Sequence, residues 1–141
     1  MSQFIQSAFF TVLGGFIAGG VGLCLANHRR VLDAKDAFGV FIRGKIGGLP
    51  KREVGDFYKS TKPAIRAEVH QFWHFLNREQ RTRLDRLWKE YDEIQAHELD
   101  PQNEATMGEA MRSFSKLAGI EFQSPYEVVR FYLDEFYKFS A

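Results

Sequence analysis

Between Phe4 and Ala26 the chain reads FIQSAFFTVLGGFIAGGVGLCLA, 23 residues without a single Lys, Arg, Asp or Glu. At 1.5 Å rise per residue such a helix is about 34 Å long, against a hydrocarbon core of about 30 Å. The segment is therefore predicted to span a bilayer with modest tilt. A cleaved signal peptide would need a basic region ahead of the apolar run, and no basic side chain precedes Phe4. A lipoprotein site fits no better, because Leu23 precedes Cys24 where a small residue is needed.

The charge distribution sets the orientation. All 37 charged residues of the 141 lie from Arg29 onward. His28, Arg29, Arg30 and Lys35 follow the segment closely, whereas Met1 to Gln3 carries no basic side chain. The positive-inside rule then places the N-terminus in the periplasm of a bacterial inner membrane and the rest of the chain in the cytoplasm. Arg29, Arg30 and Lys35 are the expected contacts with anionic lipid at the inner leaflet. A nucleic-acid reading of this cluster is weaker, since no aromatic side chain is interleaved with it before Phe38. Farther along the sign reverses: residues 90–141 hold eleven Asp/Glu against four Lys/Arg.

The five glycines of the segment are not scattered. Projected at 100° per residue, Ser7, Ala8, Thr11, Gly14, Gly15, Ala18, Gly19 and Gly22 share an arc of about 140°. Phe9, Phe10, Leu13, Phe16, Ile17, Val21 and Leu23 occupy the remainder, while Gly20 and Leu25 break the partition. Gly15-x-x-x-Gly19 and the row Gly14, Ala18, Gly22 match the small-xxx-small pattern that lets helix backbones approach closely in lipid. A homo-oligomer packed through Ser7, Thr11, Gly14, Gly15, Ala18, Gly19 and Gly22 is expected. The arc is wider than one dimer seam requires, so it suits a helix with two neighbours.

About 115 residues remain for one cytoplasmic core. The only cysteine, Cys24, lies in the apolar segment, so no disulfide framework can form within the chain. The periodicity of Val31, Ala34, Phe38, Ile42 and Ile46 extends the first helix until Gly47-Gly48-Leu49-Pro50 stops it. After a loop or short helical stretch over 51–60, Ser60 or Thr61 is expected to cap a helix with Pro63 in its first turn. Ile65, Val69, Phe72, Trp73 and Leu76 line its apolar face. Asn77 with Gln80 reads as a capping box opening a helix that buries Leu84, Leu87, Trp88, Tyr91 and Ile94, which closes an αα-hairpin. His97 to Asn103 reads as loop. Met107, Met111, Phe114 and Leu117 mark a helix ending at Gly119. The last helix starts at Ser124-Pro125, with Glu127 completing a capping box, and buries Val128, Val129, Tyr132, Phe136 and Phe139. Phe131, Leu133 and Tyr137 lie off that face, so this helix is either central in its bundle or shared with a partner. The fold class expected is all-α: one N-terminal transmembrane helix, 1–27, a membrane-proximal helix and loop, 28–50, and a cytoplasmic helical domain, 51–141, with a bundle of about four to five helices.

Chemistry is sparse. His70 and His74 have the spacing of a two-histidine metal pair, but Gln71 stands where a metalloprotease base would be, and both project away from the Ile65, Val69, Phe72 face. No metal site and no cofactor are expected. Arg66 and His70 invite comparison with HEPN ribonucleases, whose motif sets an Arg ahead of a His by a longer interval than the three residues found here. That departure turns the two side chains relative to each other by about 100°. They are the only catalytic candidates, and a membrane-tethered ribonuclease is the alternative function.

The stretch Phe38 to Tyr91, with FIRGKIGGL, then DFYKSTKPAIRAEVHQF, then L-x(7)-L-x(2)-LW-x(2)-Y, resembles an uncharacterised family of small bacterial proteins with one N-terminal transmembrane helix. The shared positions Phe72, Leu76, Leu84, Trp88 and Tyr91 are core residues, so the resemblance implies a fold and no activity. The layout also looks like that of membrane effectors of bacterial antiviral defence that assemble as pores. The function expected is a non-enzymatic, membrane-anchored, self-assembling module whose cytoplasmic helices bind a second protein, with a pore-forming or membrane-disrupting effector of a defence or stress system as its sharpest form.

Overall fold

The computed structural model describes the backbone of residues 3–141 and the side chains of residues 25–141. Among the described residues there are five helices, α1 (Gln3–Gly47), α2 (Val54–Trp73), α3 (Arg78–Asp92), α4 (Glu104–Ala118) and α5 (Pro125–Lys138), with a 3-10 turn over Ala96–Leu99 between α3 and α4. No strand occurs among the described residues. The chain divides into a unit of Met1–Ala34 and a compact unit of Lys35–Ala141. Among the described residues no helix is long and apolar enough to cross a membrane. The span expected over 4–26 falls, through residue 24, on side chains outside the described ones, as does its whole small-residue face at Ser7, Thr11, Gly14, Gly15, Ala18, Gly19 and Gly22.

Several helix ends follow local chemistry. α1 stops at Gly47, with the Gly48 N–H donating to the Gly44 carbonyl at 3.1 Å. Asn77 and Gln80 form the expected reciprocal box at the start of α3, at 2.9 and 3.2 Å. α4 begins with a similar pair, Asn103 and Thr106, and ends where Gly119 adopts a left-handed φ of 72°. At α5, Ser124 accepts from the Glu127 N–H, but the Glu127 carboxylate takes the Gln123 N–H at 2.7 Å rather than that of Ser124. The expected box is shifted by one residue.

α2 departs most from its sequence signals. It starts at Val54, so Pro63 lies inside the helix instead of in its first turn. Ser60 and Thr61 are not caps; their hydroxyls donate to the Phe57 carbonyl at 3.2 and 2.6 Å. Tertiary burial accounts for the early start. Val54 and Tyr58 are only 2% exposed, and the Tyr58 hydroxyl donates to the Tyr91 carbonyl at 2.5 Å. The residue before the helix, Glu53, has φ 54° and caps nothing with its side chain. The anion at this helix start is instead Asp100, whose carboxylate accepts the Gly55 N–H at 3.2 Å. His97 to Asn103 is correspondingly more than loop: the 3-10 turn buries Leu99 and presents Asp100 to α2.

The core of the Lys35–Ala141 unit is aromatic. Phe38 from α1 stacks on Phe72 of α2, with centroids 4.3 Å apart and planes 5° from parallel. Tyr91 meets Tyr58 edge-on at 5.0 Å, Phe136 edge-on at 5.6 Å and Tyr132 at 5.9 Å. Helix α5 is the central element: Val128, Val129, Tyr132, Leu133 and Phe136 are all fully buried. Leu133 is therefore a core residue, in line with the first of the two readings of this helix, as central in its bundle, whereas Phe139, expected in the core, is only half-buried. Leu117, expected on an apolar face, is 54% exposed, because α4 buries Ala110, Met111 and Phe114 instead. The end of α5 closes on α1: a Cβ at Gly39 would stand 2.8 Å from Ser140 Oγ, and Arg43 donates to the Tyr137 hydroxyl.

Two tyrosines in this core differ in hydrogen bonding. Burial raises both phenols above the usual pKa. Tyr58 has an acceptor, whereas the buried Tyr91 hydroxyl has no protein partner. Tyr58→Phe should lower stability by about 1 kcal/mol, whereas Tyr91→Phe should leave it level or slightly raised. Urea unfolding followed by circular dichroism would read the difference.

Candidate groove between α2 and α3

The α2–α3 hairpin is fastened at both ends by cations. Arg81 of α3 reaches back to the end of α2, donating to the carbonyls of Trp73 and His74 at 3.1 Å each, with its guanidinium 4.1 Å from the centre of the Trp73 ring. Lys62 of α2 does the same for α3, donating to the Asp92 carbonyl at 2.9 Å and pairing with its carboxylate at 2.8 Å. These contacts place positive charge on the carbonyl ends of both helices, where the helix dipole is negative. Asp92 correspondingly raises the Lys62 pKa, chiefly through this hydrogen bond.

Between the two helices runs an open groove walled by Arg66, His70, Trp73, Asp85 and Trp88. Arg66, His70 and Asp85 are exposed, and both tryptophans are half-buried. Arg66 also borders the adjoining recess, which continues past Lys59, Lys62 and His97. The structure thus brings Arg66 and His70 onto one groove wall. Trp88 lines that wall instead of lying wholly in the core, and Asp85 joins it from α3. Trp is a residue type seldom fully buried, which is the signal in the sequence for its place at an edge.

The His70 and His74 rings meet edge-on at 5.3 Å on the exposed side of α2. Among the described residues no group of three or more His, Cys, Asp or Glu is gathered as a metal site. Of the expected lipid contacts, Arg29 and Arg30 are exposed. Lys35 is half-buried and donates to the Ala141 carbonyl at 3.4 Å.

The chain matches no family model, no curated protein and no solved structure. Its groove is therefore read from its own residues: a guanidinium, an imidazole and a carboxylate around two indoles, a surface suited to binding.

Proposed function

We propose that this protein is a membrane-anchored, self-assembling helical interaction module, with its compact domain on the cytoplasmic side of a bacterial inner membrane. In its sharpest form it is a pore-forming or membrane-disrupting effector of a defence or stress system. The observation that carries the proposal is the uncharged stretch from Phe4 to Ala26 with its segregated small residues. The reading is also supported by α1, the helix holding that stretch, which contributes Phe38 and Ile42 to the core of the Lys35–Ala141 unit.

Topology and assembly are tested together. A reporter active only in the periplasm should be silent when fused after Ala141 and active when fused before Met1. Cross-linking in membranes should give oligomers from the native chain, and replacing Gly15 or Gly19 with Leu should remove most of them while insertion survives, Leu being a good helix former. Leu13→Ala and Ile17→Ala, on the bulky side, should matter less. Reversed reporter activity would overturn the orientation, and equal oligomer yields would overturn the small-residue face.

The alternative, a tethered HEPN-like ribonuclease, is supported by Arg66 and His70 sharing one groove wall. RNA cleavage by purified full-length chain that vanishes in both Arg66→Ala and His70→Ala would favour it. Under the first reading these variants change no RNA.

A further inference from the structure

We draw no further inference here: the strongest candidate, the exposed apolar patch of Leu117 and Ile120 at the end of α4, adjoins Lys116 and Glu121 of opposite sign, and nothing in the structure shows what covers it.

Discussion

Gly55→Ala should destabilise the compact unit by about 2–4 kcal/mol, the combined effect of overpacking and of a lost hydrogen bond to a charged acceptor. A Cβ on Gly55 would lie 2.6 Å from the Ala96 carbonyl oxygen and closer still to the Asp100 carboxylate. The carbonyl belongs to backbone held by the 3-10 turn, so it cannot swing away as a flexible side chain could. Relief would require the turn to leave the start of α2, taking with it the Asp100 carboxylate that accepts the Gly55 N–H. Gly108 is the matched control. It lies within α4 with nothing inside 4 Å of an added Cβ, so Gly108→Ala should stabilise by up to about 1 kcal/mol through helix propensity. Thermal melts of the two variants should shift in opposite directions. A Gly55→Ala protein melting with the native chain would show that the turn does not press on α2.

The second large effect separates two leucines. Leu133→Ala should cost about 2–5 kcal/mol, because its side chain is fully buried and the central helix α5 leaves little room for the cavity to collapse. Leu117→Ala should stay within about 0.5 kcal/mol of the native chain, its side chain being 54% exposed. Denaturant midpoints would measure both. The helical period in the sequence puts Leu117 on the apolar face of its helix, and leaves Leu133, off the main face of its own, to either a central place in the bundle or a partner. An equal loss from both changes would mean that the exposed face of α4 is covered in the folded protein.

Local chemistry accounts for what could be read before any fold was known. The Gly47-Gly48-Leu49-Pro50 stop, the Asn77–Gln80 box, the Gly119 C-terminus and the Ser124-Pro125 start each complete their backbone hydrogen bonding within a few residues. No distant partner is needed, so residue identity and spacing suffice to predict them. The all-α class follows from the same periodicities, as does most of the list of core residues on α2 and α3. The Asn103–Thr106 pair is equally local, yet Thr replaces the Glu or Gln of the usual capping box, which leaves it indistinct from a loop in sequence.

Tertiary structure decided the remainder, wherever a group's partner lies far along the chain. The Gly55 N–H finds Asp100, 45 residues later, and the Tyr58 hydroxyl finds the Tyr91 carbonyl, 33 residues later. Those contacts start α2 at Val54 and overrule the local signals of Ser60, Thr61 and Pro63. The groove has the same origin, because Arg66 and His70 come from one helix and Asp85 and Trp88 from another. Periodicity identifies which side chains share a helix face. How many faces of a helix are covered depends on what packs around it, and that is why α5 is buried through Leu133 while α4 leaves Leu117 in solvent.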